Sequence, residues 1–131
     1  MKKELLIKSL TAALFSAITI AALSLLTYKT QYGIFLIASF GSSMVVLFGY
    51  PESPFAQPKN IFFGHLATSL AGIFVLYFVP LPLYLNLPIA VGAGVFLMIM
   101  LNITHPPAGG NPIIVIMGLS LIHISSPRDR G

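Results

Sequence analysis

The sequence has few charged residues and lacks cysteine and tryptophan. Only 8% of its residues are charged, whereas a soluble domain has about a quarter. Between Lys8 and Arg128 the charged residues are Lys29, Glu52 and Lys59. A water-facing fold could not cover its surface with so few charges, which excludes a soluble globular domain. The absence of cysteine excludes disulfides and thiolate metal sites.

The residues that are present point to lipid as the solvent. Hydrophobic residues make up 56% of the chain, and its mean hydropathy is +0.94. The excess of basic residues gives a net charge of +4. These residues stand at the ends of apolar runs and form no basic stripe, so we expect no nucleic-acid partner. We expect an integral membrane protein whose surroundings are a lipid bilayer.

The apolar runs predict helices. About 20 apolar residues are needed to cross a bilayer. A signal peptide is the alternative for the first run, but no A-x-A cleavage site follows it. The second run is short enough to be re-entrant, and the last is too short to cross comfortably. The pattern predicts an all-α, polytopic transmembrane helix bundle with short or re-entrant Gly/Pro-interrupted segments. The runs cover residues 5–28, 33–48, 61–79, 87–101 (opened by Pro88) and 113–124.

Proline and glycine mark the connections between these runs, because both disfavour helix interiors. Two connections are rich in polar residues, at positions 50–60 and 102–112; shorter ones lie at 29–32 and 80–88. Basic residues favour the cytoplasmic side, so Lys2, Lys3 and Lys8 place the N-terminus there. Counting spans then puts both polar connections on the cytoplasmic side, unless residues 33–48 are re-entrant.

Small and polar residues in two places suggest helix starts. Ser42 or Ser43 could cap the helix through the following valines, and Asn111 could cap a helix that has Pro112 at its first position. Free amides at a helix N-terminus bind anions. Short Gly/Pro-interrupted segments in two parts of a membrane chain also indicate a transport site. Ordinary capping at the membrane surface is the alternative.

The histidines and loop charges allow two interpretations each. His105 and His65 could carry protons or positive charge, or each could only hydrogen-bond a carbonyl. Glu52 and Lys59 could pair with each other or remain solvated. No H-x-x-x-H or H-E-x-x-H spacing supports a metal site. No catalytic triad or phosphate-binding loop occurs, so we expect no metal, no cofactor and no enzymatic activity.

Several motifs occur together in a fixed order. They are Gly41-Ser-Ser, PESPFAQP followed by Lys59-Asn60, Gly64-His65, and THPPAGGNP. Together they resemble the HPP family of integral membrane proteins, named for the His-Pro-Pro that stands here at residues 105–107. The resemblance implies a compact multi-helix membrane domain. The family occurs in bacteria and plant plastids, some members are fused to CBS domains, and members are linked to nitrite transport.

The resemblance extends to about residue 118, which suggests a division of the chain. We expect residues 1–118 to form the HPP-type transmembrane domain. Residues 119–131 read as a truncated or non-native tail, because family members usually continue through a further hydrophobic helix. The chain looks like a standalone domain of the bacterial inner membrane with a cytoplasmic N-terminus.

The expected function is membrane transport of a small inorganic anion, with nitrite as the substrate that the resemblance implies. A sensor or assembly module without transport is the alternative. Because the bundle is too small to enclose a pathway comfortably, we expect a homo-oligomer. The expected substrate-binding residues are Ser42, Ser43, His105, Gly109, Gly110 and Asn111. The expected supporting residues are Glu52, Pro54, Gln57, Lys59, Asn60, His65, Pro106 and Pro107.

Overall fold

The structure, a computed structural model, describes residues 1–29 and 34–124. No strand occurs among these residues, so the predicted all-α class is confirmed. Residues 30–33 of the predicted first connection and residues 125–131 of the predicted tail lie outside the described part. The helices are α1 (Lys2–Lys29), α2 (Ile34–Met44), α3 (Pro58–Phe78), α4 (Leu83–Met100) and α5 (Asn111–Ile124).

Three of these helices, α1, α3 and α4, are long and apolar enough to cross a membrane. Large hydrophobic side chains on them face outward, among them Leu14, Phe74 and Phe96. In water such a surface would be unstable, whereas in a bilayer it contacts lipid tails. The chain is therefore an integral membrane helix bundle.

The α2 helix continues without a break into a π-helical turn, Val45–Gly49. Ser42 and Ser43 therefore lie inside a helix, and the prediction that one of them caps a helix start is wrong. The physical reason is that the backbone stays helical through Met44, with φ −62° and ψ −36°. The predicted run at 33–48 corresponds closely to this uninterrupted segment.

The α3 helix begins at Pro58, three residues before the predicted run. Proline suits this first position because the amide it lacks would have no intrahelical partner. Lys59 and Asn60 consequently belong to the helix and not to the loop. The loop before it contains a 3₁₀ turn, Pro54–Ala56, capped by the Ser53 hydroxyl, which accepts from the Phe55 amide.

The α4 helix begins at Leu83, so Pro88 lies inside it and does not open it as predicted. An internal proline leaves the carbonyl four residues earlier without its amide partner. That carbonyl belongs to Tyr84, whose side chain is 74% exposed at the end of the helix. The Asn86 side chain also ties this end to the preceding loop by donating to the Val79 carbonyl at 3.2 Å.

A row of small residues on α3 packs against the segment that follows α4. Gly64, Thr68 and Gly72 recur every fourth residue and are all buried, so they share one helix face. A Cβ at Gly64 would lie 3.1 Å from both His105 Cβ and the Ile103 carbonyl oxygen, and one at Gly72 would lie 3.1 Å from Pro112 Cα. The row therefore lets the 101–112 segment enter the bundle.

The loops at 50–57 and 101–110 lie at the same end of the bundle. The Asn60 side chain donates to the Thr104 carbonyl at 2.9 Å, and His105 lies against Phe55. Lys8 of α1 lies 4.0 Å from Glu52. The N-terminal end of α1 and both loops therefore share one end, as the span count predicted.

Cysteine labelling tests this arrangement in the membrane. Cysteines at Gln57 and Gly110, both exposed, should react with an impermeant maleimide from one side of the membrane. A cysteine at Leu81 should react from the other side, because α3 separates the two ends by about 31 Å and Leu81 follows it. Labelling of Gln57→Cys and Gly110→Cys from opposite sides would contradict the shared end.

Candidate functional site

Ser43 and His105 form the centre of a buried polar cluster. The His105 side chain is 0% exposed and Ser43 is 1% exposed. The Ser43 hydroxyl oxygen lies 2.8 Å from His105 Nε2. Both residues are predicted from the sequence as site residues. The structure brings them into contact although they are 62 residues apart in the chain.

The second ring nitrogen of His105 defines its tautomer. His105 Nδ1 lies 2.8 Å from the backbone carbonyl oxygen of Phe55. A carbonyl can only accept, so Nδ1 carries the proton and Nε2 is left to accept from the Ser43 hydroxyl. Burial lowers the pKa of His105 below its usual 6.5, with the Phe55 hydrogen bond acting in the opposite direction. The neutral ring is therefore the resting form at neutral pH.

His65 approaches the same hydroxyl from α3. Its Nε2 lies 3.3 Å from Ser43 Oγ, and its ring centroid is 5.2 Å from that of His105. The Ser43 hydroxyl has one proton and two acceptors within reach, His105 Nε2 at 2.8 Å and the Ser39 carbonyl at 3.1 Å. The shorter contact, to a ring nitrogen that has no proton of its own, directs the Ser43 proton to His105, so the Ser43 oxygen accepts from His65 Nε2–H. That tautomer leaves His65 Nδ1 as an acceptor, and this buried atom has no hydrogen-bond partner in the described structure.

Asn111 does not cap α5 as predicted. Its side-chain amide instead donates to the His65 carbonyl at 3.1 Å and to the Ser69 hydroxyl, and its oxygen accepts from Ser39 at 3.3 Å. The reason is that Asn111 has helical backbone angles, φ −62° and ψ −39°, and follows a 3₁₀ turn, Pro106–Gly110. The side chain therefore joins α2, α3 and α5.

Helical spacing explains why these side chains meet. Ser39 and Ser43 are one turn apart on α2, and His65 and Ser69 are one turn apart on α3. Residues four apart lie on the same helix face. The two polar pairs face each other, and the 101–112 segment supplies His105 and Asn111 between them.

The helix start predicted at Asn111 is continuous with the preceding 3₁₀ turn, and anion binding there stays a prediction. The chain runs from the 3₁₀ turn directly into α5, with the Asn111 amide donating to Ala108. No glycine in the described residues has a positive φ, and a Cβ at Gly109 or Gly110 would meet nothing within 4 Å. A side chain at either glycine would therefore meet no steric obstacle in the described structure. Pro106 is exposed and Pro107 half-buried.

Ser42 also lies outside the cluster. It is exposed, because successive residues of a helix are turned by about 100° and Ser43 is the one that faces inward. The serine pair predicted to act together is thus divided by the geometry of α2.

The predicted supporting residues lie in different places. His65 belongs to the cluster, and Pro106 and Pro107 lie on the 3₁₀ turn after His105. Glu52 is exposed and lies near Lys8, so the predicted alternative of a pair with Lys59 does not occur. The other four line a cavity of about 370 Å³ at the same end of the bundle, together with Asn102. Its lining residues are Pro54, Gln57, Lys59, Asn60 and Asn102.

This cavity adjoins the cluster through Asn60. The Asn60 side chain lines it and also donates to the Thr104 carbonyl, one residue before His105. Pro54, another lining residue, precedes Phe55, whose carbonyl holds His105. The cavity is a polar mouth with Lys59 at its wall.

Sequence reasoning missed four members of the site. Ser39 and Ser69 could have been found from their four-residue spacing to Ser43 and His65. Thr68, which donates to the Gly64 carbonyl at 2.8 Å, is an ordinary helix residue by sequence. The Phe55 carbonyl carries no side-chain signal at all. In the described residues, no group of three or more His, Cys, Asp or Glu is placed to hold a metal ion.

Comparison with known proteins now identifies the family. The family model described as HPP, transmembrane region, matches residues 1–127. The chain belongs to the HPP family of membrane proteins. The match includes every residue of the cluster and extends past the expected domain boundary at 118. That boundary also falls inside α5, which continues to Ile124.

Two proteins of Dictyostelium discoideum, both named only as transmembrane proteins, are similar in sequence. One is 36% identical over 87 residues, covering 64% of this chain and 30% of the relative. The other is 34% identical over 110 residues, covering 79% and 35%. The HPP chain thus spans about a third of the length of these relatives. No solved structure matches.

Proposed function

We propose that this HPP protein transports a small inorganic anion, with nitrite as the substrate that its family suggests. The observation that carries the proposal is the buried contact of Ser43 with both His65 and His105. Polar and ionisable groups inside a membrane bundle are costly, and they usually mark a substrate or ion pathway. A bundle with no functional need would fill this position with apolar side chains.

The polar mouth supports the choice of an anion. Lys59 lines it, and Asn60 connects it to the loop that carries His105. A cation at the mouth of a site attracts anions and raises their local concentration. At the cluster, an arriving oxyanion would replace the contacts among the imidazole and hydroxyl groups and accept from their N–H and O–H donors. The anion would therefore travel from Lys59 toward His105.

We also propose transport and not catalysis. The spacing of Ser43, His105 and the Phe55 carbonyl resembles a nucleophile, its base and an orienting group. However, the group that orients His105 is the neutral Phe55 carbonyl, which stabilises an imidazolium less than the carboxylate of a catalytic triad does. The arrangement serves better as a hydrogen-bonded site within a pathway.

The setting of the proposal is a homo-oligomer in the bacterial inner membrane, in contact with lipid and a small anion and not with nucleic acid. Its N-terminus is cytoplasmic, because four of the five lysines lie at the end of the bundle that holds both loops. A single chain exposes apolar surface on all its long helices, which leaves room for copies of the chain to pack together. The four lysines are Lys2, Lys3, Lys8 and Lys59.

Flux into proteoliposomes tests this function. We expect purified protein to admit nitrite faster than protein-free vesicles, and Lys59→Gln to lower the rate at low nitrite concentration without lowering it at saturation. The reason is that Lys59 attracts the anion to the mouth and does not hold it in the cluster. Rates equal to those of empty vesicles, for nitrite and nitrate alike, would favour the sensor or assembly module.

A further inference from the structure

We propose that His65, Ser43 and His105 form a proton relay that couples anion movement to one proton. This inference rests on the proposed transport function and names its coupling ion. It follows from three contacts in series: His65 Nε2 to Ser43 Oγ at 3.3 Å, Ser43 Oγ to His105 Nε2 at 2.8 Å, and His105 Nδ1 to the Phe55 carbonyl at 2.8 Å.

The carbonyl of Phe55 gives this chain a direction. It holds the proton on His105 Nδ1, so His105 Nε2 can only accept. Ser43 donates to it at 2.8 Å in preference to the Ser39 carbonyl at 3.1 Å, and His65 donates to Ser43. The far end of the chain is His65 Nδ1, a buried acceptor without a partner in the described structure. Such an atom is costly unless it has a role. The hydrogen-bonded chain therefore has an open acceptor, His65 Nδ1, at one end and a fixed donor, His105 Nδ1, at the other. It defines a path for a proton from His65 to His105.

The transfer balances with one proton. The conjugate acid of the anion, admitted to the cluster, protonates His65 at Nδ1 and is left as the anion. The Nε2 proton of His65 then moves to Ser43 Oγ as the Ser43 proton moves to His105 Nε2. Ser43 is again a neutral hydroxyl, His65 is neutral with its proton on Nδ1, and His105 is an imidazolium. Its charge balances that of the one anion left by the donor. Because the Phe55 carbonyl takes up no proton, release runs back through Ser43 to His65, and the proton leaves with the anion, so each cycle is electroneutral.

No other charge competes for this proton. The charged residues on the elements around the cluster are Glu52, exposed and near Lys8, and Lys59, exposed at the mouth. The described residues of α2 and α4 carry no charged side chain, and those of the 101–110 loop add none besides His105. The sequence of α5 contains one titratable residue, His123. Its side chain lies outside the described part of the structure. The two histidines joined by Ser43 are therefore the titrating pair.

The test compares two neighbouring serines in proteoliposomes that contain a pH-sensitive dye. In the wild type, added nitrite should carry protons inward with it, and an inward proton gradient should drive nitrite uptake. Ser43→Ala breaks the relay and should lower proton-driven uptake by about a hundredfold or more, the usual contribution of a positioned proton-transfer group. Ser42→Ala, an exposed serine outside the cluster, should match the wild type.

Two results would overturn the relay. One is nitrite flux in the wild type without proton movement, which would leave the transport function intact. The other is equal proton-driven uptake in Ser43→Ala and the wild type. Absence of any nitrite or nitrate flux in the wild type would instead refute the transport function.

A measurement independent of transport keeps the relay testable if Ser43→Ala fails to fold. Nitrogen-15 NMR of the wild type should show His105 with its proton on Nδ1 and His65 with its proton on Nε2, assigned with single His→Gln variants. The same tautomer on both rings would break the donor sequence and refute the relay.

Discussion

Replacing Gly72 by valine should prevent the 101–112 segment from packing against α3. A Cβ at this position would lie 3.1 Å from Pro112 Cα and 3.2 Å from the Pro112 carbonyl oxygen. Both are backbone atoms, so no side-chain rotation relieves the contact, and the two methyl groups of valine add to the crowding. Overpacking of this kind costs about 1–3 kcal/mol, and the upper end is expected here. The measurement is the free energy of unfolding in detergent, with membrane insertion checked by fractionation.

Gly92→Val is the matched control. Gly92 lies in α4, it is exposed, and a Cβ there would meet nothing within 4 Å. Valine has a somewhat higher helix propensity than glycine, so this variant should be neutral or slightly more stable. Equal losses in both variants would mean that any bulky residue harms these helices, and that Gly72 has no special contact with α5.

The effect of Gly72→Val should also reach the functional cluster. Pro112 follows Asn111, so displacing it moves the side chain that joins α2 to α3. His105 lies on the same segment and contacts the small-residue row at Gly64. We therefore expect a variant that still inserts to lose nitrite flux along with stability.

The bundle could be predicted from the sequence because hydrophobicity and proline act locally. The apolar runs gave the helices, and the span count placed the loops at 50–57 and 101–110 at one end, where Asn60 contacts Thr104. Helix starts were less accurate. Pro88 predicts a helix boundary because it lacks an amide hydrogen, yet α4 begins at Leu83 and includes Pro88 in its second turn.

The site was predicted in composition but not in geometry. The sequence predicts Ser43 and Asn111 as helix caps and His105 as a carrier of a proton or positive charge, whereas in the structure their side chains meet in one cluster. The missing information is long-range: Ser43 and His105 are 62 residues apart, and Phe55 contributes only a backbone carbonyl. No local pattern encodes such contacts, since they depend on how α3 admits the 101–112 segment.

Asn111→Leu should destabilise the protein by more than the loss of a helix cap. A cap is worth about 1 kcal/mol. Asn111 makes three side-chain hydrogen bonds, to His65, Ser69 and Ser39, and such bonds average about 0.6 kcal/mol each in a membrane bundle. The expected loss is therefore about 2 kcal/mol. Leucine is close to asparagine in size, so the loss reports the hydrogen bonds more than a cavity. Asn60→Leu, which removes one bond to the Thr104 carbonyl, should lose less.

A double-mutant cycle with Ser39→Ala decides between the two roles of Asn111. If Asn111 joins α2 to α5 through Ser39, the two changes remove the same hydrogen bond, and their effects should be coupled by about 0.6 kcal/mol. A helix cap at Asn111 would act only on the amides of α5 and would not involve Ser39, which lies on α2. In that case the effects of the two changes would be additive. Additivity within error would show that the contact between Ser39 and Asn111 has no energetic weight. Coupling would show that this side chain holds the 101–112 segment against α2, and with it the position of His105 beside Ser43.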